Sequence, residues 1–504
     1  MNSKAKLKQA IIIIMDDVRA SHLFGLIDKG KLPNMGVLAE KGLSCKNCIT
    51  SFPSVTFPSY PNIVTGSYSG YFKKLGSGIP AYHWVDRDIP PKEKRKYPFI
   101  RNYDNRSHIW KIGKDLGKNV ATIFEQAGEG NFLSSVNVIF RGSEFQVPDE
   151  FQSRYIFKTV QTAFEKPKEF FSSNEAPKVS IIYIPRTDEL MHEKGFDHPE
   201  YIKEIIECDQ ALGQLINSLK KKGYFEETVI CIVSDHGNYK AQKMHDLEPF
   251  FDNIGLKQYL PKKGKGDFDA NFGSVGFFNF RGETWFHHPT RSHMENFELT
   301  GMGKKTLNLY DMLWKIPGVK YLYYADDENR PEKGIIHLEA RFKNKDKPLK
   351  GRIVYEGLGK NQKTKYIFDN EDLYYYINDN KAQNILDGNF HNIEEWMEYT
   401  SHVDFPMFID QLSRYFKNPR RCDIMLSTCA EYAFGYEHGH TGTPHMYNHD
   451  VALKDSMTVP LIIGGSQEIP NINLKYCKTT DLVPSLLSLL GEEPHKSVVG
   501  RSLL

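Results

Sequence analysis

Three runs of β-branched residues, each closed by an acidic or histidine residue, constrain this chain more than any other feature. They are IIIIMDD (11–17), VSIIYIPRTD (179–188) and VICIVSDHG (229–237). A strand with one wet face alternates apolar and polar residues. An unbroken apolar run needs cover on both faces, the situation of a parallel sheet between helices. Helical stretches lie between the runs. In PEYIKEIIECDQALGQLINSLKKKG (199–223) apolar residues recur every three or four positions, and a glycine follows the last lysines. The alternation predicts an α/β fold: a doubly wound, mostly parallel sheet with helices on both faces. In such sheets ligands bind beyond the carboxyl ends of the strands, so the acidic and histidine residues closing the runs should meet on one edge.

From about 240 to 425 the texture changes: lysine, asparagine and aromatic residues rise, and FKNKDKPLKGR (342–352) reads as a hairpin or exposed loop. The strand grammar returns with CDIMLST (422–428) and TVPLIIGG (458–465), and TTDLVPSLLSLLG (479–491) reads as a capped helix stopped by glycine. The expectation is a core formed by 1–240 and 422–504, with 241–421 inserted as an α+β cap. Lys plus Arg number 65 against 63 Asp plus Glu. That balance implies no global polyanion surface and no specific nucleic-acid binding; the lysine runs at 262–265 and 343–350 read as solvated faces. IIIIM is too short for a membrane span or a signal-peptide core, and no later run reaches spanning length. Seven scattered cysteines make no disulfide framework, and Cys45 and Cys48 form a lone CxxC. A cytoplasmic setting is the default expectation, although export by a leaderless route would be invisible in the sequence. The oligomeric state is not legible.

The groups able to carry chemistry, in chain order, are Asp16, Thr56, Asp188 with His192, Asp235 with His236, and the histidines at 438, 440, 445 and 449. Asp188 and His192 are one helical turn apart and share a face. Mixed carboxylate and imidazole donors suit zinc, and also manganese or iron, better than magnesium or calcium. Two such clusters on one edge suggest a pair of metals about 4 Å apart that clamps a phosphoryl group. Thr56 opens TFPSYPNIVTG (56–66), and reads either as a plain helix N-cap or as a nucleophile held at a helix N-terminus.

The ordered set resembles the alkaline phosphatase superfamily, and within it the type I phosphodiesterase and nucleotide pyrophosphatase branch. The matching stretches are MDDVR (15–19), SVTFPSYPNIVTG (54–66), GIPAYHW (78–84) with Asp86 and Arg87, TDELMH (187–192), SDHG (234–237), EHG (437–439), VPLIIGG, TTDLVPSLLSLLG and GRSLL. The resemblance implies that Thr56 is the nucleophile. It implies that Asp16, Asp235 and His236 hold one metal, which also binds and acidifies Thr56. Asp188, His192 and a late histidine would hold the other. That histidine is His438, followed by glycine as in the family, or His440 as the alternative beside GTP (442–444); His445 and His449 trail. Asp17 is a neighbour of a ligand. Where the family carries an asparagine for the phosphoryl oxygen, this sequence has Tyr82. Phe57 can offer a ring to a flat leaving group, and Tyr82, His83 and Trp84 line the pocket or pack beneath the cap. Sulfatases follow their Cys or Ser nucleophile with an arginine four residues on; here Thr56 is followed by Tyr60, against sulfate esters.

The implied activity is hydrolysis of a phosphodiester or nucleotide by a threonine nucleophile and two divalent metals, zinc first. A phosphomonoesterase or phosphonate hydrolase on the same scaffold is the alternative. A phosphoryl-group transferase or catalytically silent binding protein is a third reading, disfavoured by the full ligand set.

Overall fold

The strand Gln9–Met15 is buried at all seven positions, and the reason lies in its two faces. Ala10, Ile12 and Ile14 pack into one apolar cluster with Tyr60, Ile63, Leu482 and Leu486. Ile11, Ile13 and Met15 pack on the other side with Leu38, Tyr201, Leu212 and Leu215. Alternate side chains from Ala10 to Met15 therefore serve opposite layers of helix, which is why these six positions are apolar without a break. A fully buried isoleucine contributes about 1.5–3 kcal/mol, and this strand lines up four, Ile11 to Ile14. The computed structural model describes residues 7–88, 96–103, 111–135, 141–146, 160–173, 176–300, 305–343, 345, 347–436 and 445–504.

Gln9–Met15 lies between Val179–Ile184 and Thr228–Val233 and is parallel to both, with Ile12 opposite Ile181 on one side and Cys231 on the other. The three β-branched runs are thus three adjacent parallel strands. Phe132–Ser135 and Phe145–Gln146 extend the sheet beyond Val179–Ile184. Beyond Thr228–Val233 come Thr458–Gly465, antiparallel to both its neighbours, then Leu43–Ile49 and Ile472–Leu474, with Cys477–Lys478 also paired to Leu43–Ile49. Helix Pro199–Lys222 covers one face through Tyr201, Ile205, Leu212, Leu215 and Leu219, and stops at Gly223, which is left-handed at φ 80°. Helices Thr56–Thr65 and Leu482–Leu490 cover the other. The sheet is the mostly parallel α/β layer expected.

A second sheet of eight strands is antiparallel throughout. Its order is Phe268–Phe272, Val275–Phe280, Ile424–Ser427, Tyr321–Ala325, Lys333–Ala340, Leu349–Glu356, Lys363–Phe368 and His391–Asn392. One face carries Phe277, Tyr321, Tyr323 and Ile336 against helix Phe408–Phe416. The other carries Phe278, Leu322 and Leu426 against helices Glu248–Ile254 and Leu309–Leu313. The 342–352 stretch leads into the first half of strand Leu349–Glu356, which pairs antiparallel with Lys333–Ala340.

One element differs from expectation. CDIMLST (422–428) forms a strand, but in the second sheet, between Val275–Phe280 and Tyr321–Ala325. A short strand buried on both faces has the same composition in either layer, so its local pattern does not say which sheet it joins. The chain re-enters the first sheet only at Thr458.

Candidate active site

Asp16 follows the last residue of Gln9–Met15, Asp188 sits in the first turn of helix Arg186–Lys194 after Val179–Ile184, and Asp235 and His236 follow Thr228–Val233. Because the three strands are adjacent and parallel, their carboxyl ends deliver all four groups to one edge. Two donor sets form there. In the first, His236 Nε2 stands 3.2 Å from Asp16 Oδ1 and 3.8 Å from Asp235 Oδ2. In the second, Asp188 Oδ1, His192 Nε2 and His449 Nε2 make a triangle with sides of 3.3, 3.5 and 3.2 Å. The rings of His236 and His449 stack at 4.0 Å, so the two sets are neighbours.

Asp16 Oδ1, Asp188 Oδ1 and Asp235 Oδ2 are buried with no hydrogen-bond partner among the described residues, an arrangement whose desolvation cost needs a compensating cation. Burial, then the charges of Asp235 and Asp188, hold the Asp16 carboxyl well above the usual range. Burial also raises Asp235, against the pull of His236. At Asp188 burial acts in the same sense, but His192 and His449 outweigh it and hold the carboxyl low. Burial works against charge on His192 and His236, yet the surrounding carboxylates push both up to about 9. His449, buried beside His236, is held well below the usual imidazole range.

The histidines are oriented from behind. His192 Nδ1 donates to the Tyr447 carbonyl at 2.9 Å and His236 Nδ1 to the Gly237 carbonyl at 3.1 Å, leaving both Nε2 lone pairs to the cluster. Asp17 stands behind His236, its Oδ1 3.4 Å from Nδ1, on the far side of the ring from Asp16. It adopts φ 62°, and its carbonyl accepts from Asn238 at 3.0 Å and Tyr201 at 2.9 Å. The Tyr183 hydroxyl donates to Asp16 Oδ2. The donors are carboxylates and imidazoles only, a set that fits divalent zinc, manganese or iron.

Thr56 is the first residue of helix Thr56–Thr65; the N-cap position is Val55, in extended backbone. Its hydroxyl does not cap the helix. It lies 3.2 Å from His236 Nε2, facing the first donor set. Thr56 and the second donor set line a cleft of about 330 Å³, walled by Phe57, Tyr82, Phe272 and Phe277. Phe57 leans on Tyr103 at 4.7 Å. His83 is buried against Asp269 at 2.6 Å, and Trp84 is buried beside Tyr103, so of the three residues at 82–84 Tyr82 reaches the cleft wall. Asp86 is buried near Arg101, and Arg87 makes a two-pronged ion pair with Asp423 at 2.8 and 2.9 Å, fastening the segment after His83–Val85 to the second sheet.

The sequence reading thus has Asp16, Thr56, Asp188, His192, Asp235 and His236 on one edge, with Phe57 and Tyr82 beside them. His438 and His440 lie outside the described residues. His445 lines the cleft with its ring 5.1 Å from that of His192. His449, a trailing candidate in the sequence, stands in the second triangle. It is brought there by the pairing of Tyr447–Asn448 with Tyr239–Lys240, a two-residue ladder with no local signature. Asp450, next in the chain, accepts from the Tyr239 hydroxyl at 2.9 Å and the Val275 amide at 3.0 Å, and so ties the second sheet to the ligand segment. Asn238, Tyr201 and Asp450 were not singled out, because each acts through packing partners far away in sequence.

A family model described as type I phosphodiesterase / nucleotide pyrophosphatase matches residues 10–318. Among curated relatives, an uncharacterized pyrophosphatase/phosphodiesterase of Schizosaccharomyces pombe is 29% identical over 235 residues, 45% of this chain and 44% of the relative. Ectonucleotide pyrophosphatase/phosphodiesterase family member 5 of Homo sapiens is 23% identical over 275 residues, 52% and 53% of the two chains. The chain spans about half the length, or less, of the curated relatives it matches. Among solved structures, murine ectonucleotide pyrophosphatase/phosphodiesterase 5 superposes with a TM-score of 0.56 at 15% identity over 96% of each chain. An inactive variant of that murine protein in complex with AMP gives the same TM-score. The alkaline phosphatase-like fold with a covering second layer is therefore shared. The family match takes in Asp16, Thr56, Asp188, His192, Asp235 and His236, and by it the chain belongs to the type I phosphodiesterase/nucleotide pyrophosphatase family.

Proposed function

We propose that the chain hydrolyses a phosphodiester or nucleotide pyrophosphate bond, with Thr56 as the nucleophile between two divalent metal ions. The observation that carries the proposal is the 3.2 Å separation of Thr56 Oγ1 from His236 Nε2, inside one donor set and next to the other. Asp16, Asp235, His236 and Thr56 would hold one ion; Asp188, His192 and His449 would hold the second. Such ions, when bound, acidify a coordinated hydroxyl and stabilise charge on the attacking and leaving oxygens.

What the chain's own groups do follows from their places. Thr56 Oγ, its proton released to solvent, attacks phosphorus in line with the leaving oxygen. The bond from phosphorus to that oxygen breaks, its electron pair stays on the oxygen, and a proton from solvent neutralises it. Water then attacks the phosphothreonine, the Oγ–phosphorus bond breaks, and Thr56 recovers its proton. An unactivated threonine does none of this near neutral pH. The start of helix Thr56–Thr65 directs its dipole at the phosphoryl group, which favours the anionic substrate and the more anionic transition state. The Gly237 and Tyr447 carbonyls hold His236 and His192 in one tautomer and one orientation, with Asp17 behind His236.

The cleft wall supports a diester over a monoester. Among the described lining residues are Phe57, Tyr82, Phe272 and Phe277, and none is lysine or arginine. A flat aryl or nucleoside group gains from those rings, whereas a dianionic monoester has no fixed cation there beyond the metals. Comparison of bis(p-nitrophenyl) phosphate, p-nitrophenyl phosphate and AMP-bearing substrates on zinc- or manganese-loaded protein tests this. Thr56→Ala abolishes diester turnover while metal content stays near two per chain; retained turnover in that variant rejects the nucleophile assignment.

A further inference from the structure

Among the described residues, six other than glycine take a positive φ. Five of them stay between 50° and 64°, inside the left-handed region, and Asp450 stands apart at 107°. A glycine takes such a φ freely; a side chain held there is strained and persists only where its surroundings over-determine it. Asp450 directly follows His449, so the strain sits beside a residue of the second donor set.

Three segments supply those surroundings. The Asp450 amide donates to the Ser54 carbonyl at 3.1 Å, and Ser54 Oγ donates to the Val451 carbonyl at 2.8 Å. The His449 segment is thus bonded twice to the chain that enters helix Thr56–Thr65. The buried Asp450 carboxylate accepts the Tyr239 hydroxyl on Oδ1 at 2.9 Å and the Val275 amide on Oδ2 at 3.0 Å. Tyr239, three residues after His236, is itself fixed: its Oη accepts the Ser274 amide at 3.1 Å.

His449 needs such support more than its partners do. His192 and His236 are each oriented through Nδ1 by a backbone carbonyl, at 2.9 and 3.1 Å. His449 Nδ1 is buried with no partner at hydrogen-bonding distance among the described residues. Only the Ser54 carbonyl, already bonded to the Asp450 amide, acts on it from that side. Its ring is therefore set by its backbone and by the stack on His236 at 4.0 Å.

The geometry points to Asp450 as the positioning residue for His449: its carboxylate, clamped between the Tyr239 hydroxyl and the Val275 amide, fixes the strained backbone that aims His449 Nε2 at the second ion. The inference rests on the two-ion reading and deepens it. It also links that ion to the cleft wall, because the hairpin that supplies Val275 supplies the lining residues Phe272 and Gly273. A glycine at 450 would remove the strain and the clamp together; alanine would remove the clamp and keep the strain.

The test uses Asp450→Gly, Asp450→Ala and Asp450→Asn in the full chain, stripped of metal and titrated with zinc against a competing chelator. The wild type takes up two ions. Gly and Ala each weaken one ion by about 10- to 100-fold, the range for loss of a group that orients a ligand, and leave the other unchanged. Asn, which tolerates the same φ and keeps one acceptor oxygen, weakens it less. Thermal melting of the metal-free variants separates this from general loosening: Gly melts above Ala although their zinc affinities match. If the Ala variant does not fold, Gly and Asn carry the comparison. Wild-type affinity for both ions in the Gly variant, a loss shared equally by the two ions, or affinities that follow Tm overturns the inference. A wild type that binds fewer than two ions defeats the two-ion reading instead. The inference is then decided on metal-free protein by diethyl pyrocarbonate modification of His449, read by peptide mass. The rate must rise in the Gly variant, and an unchanged rate overturns the assignment.

Discussion

His449 and Asp17 show how single residues acquire roles that their neighbours in sequence do not advertise. His449 is followed by aspartate, not glycine, so a motif reading prefers His438 or His440. Its Nε2 nevertheless stands 3.5 Å from Asp188 Oδ1 and 3.2 Å from His192 Nε2. His449→Ala is expected to lower metal content from about two per chain toward one. It should also lower diester kcat/KM by more than the roughly 10- to 100-fold that loss of an outer-shell partner costs. His438→Ala and His440→Ala keep both ions. Metal analysis of the three purified variants decides, and a full complement in His449→Ala protein would remove it from the ligand set. Most of the candidate site was legible at this scale: Asp16, Asp188, Asp235 and His236 close strand patterns, Thr56 opens a helix, and His192 lies one helical turn beyond Asp188, so the topology brings these groups to one edge. His449 was legible only as a trailing candidate, because a two-residue ladder places it.

At the scale of elements, the parallel strands and helix Pro199–Lys222 could be read because burial on both faces leaves an unmistakable apolar run. The second sheet could not be assembled from sequence. Its strands are short, rich in Tyr and Phe, and paired across long separations, so order and partners depend on loops rather than on period. Its first hairpin has the tightest relation to the site. Gly273, between Phe268–Phe272 and Val275–Phe280, lines the cleft, and a Cβ there would stand 2.2 Å from Asp450 Oδ2. That carboxylate cannot step aside, being held by the Tyr239 hydroxyl and the Val275 amide. Gly273→Ala is therefore expected to cost about 1–3 kcal/mol of stability and to raise KM for diesters more than it lowers kcat. Denaturant midpoints and steady-state kinetics read the two effects, and an unchanged midpoint would show that the hairpin is looser than its contacts imply.

For the whole molecule, the buried carboxylate–imidazole cluster couples folding to pH. Asp16 and Asp235 hold protons more tightly folded than unfolded, and so do His192 and His236, raised from 6.5 to about 9. A metal-free folded chain therefore binds more protons than the unfolded chain, and its stability falls as pH rises toward about 9. Metal occupancy displaces those protons, so apparent affinity rises over the same window. The difference in Tm between metal-loaded and chelator-treated protein should widen from pH 6 to pH 9 (roughly the span between the ordinary and raised imidazole values). Titration calorimetry in buffers of different ionisation enthalpy should find protons released on binding near pH 7. A Tm gap that is flat with pH, or binding without proton release, would contradict this electrostatic account.

The late strand Ile424–Ser427 lies between two strands made some hundred or more residues earlier, and Thr458–Gly465 does the same in the parallel layer. Neither layer can close while the ribosome is still working through the middle of the message. At about 5–20 residues per second, Asp16 and Thr56 wait tens of seconds, exposed to chaperones, before His449 emerges and the cage can be completed. A nascent chain halted before that point carries most of the candidate donor groups and no complete cage.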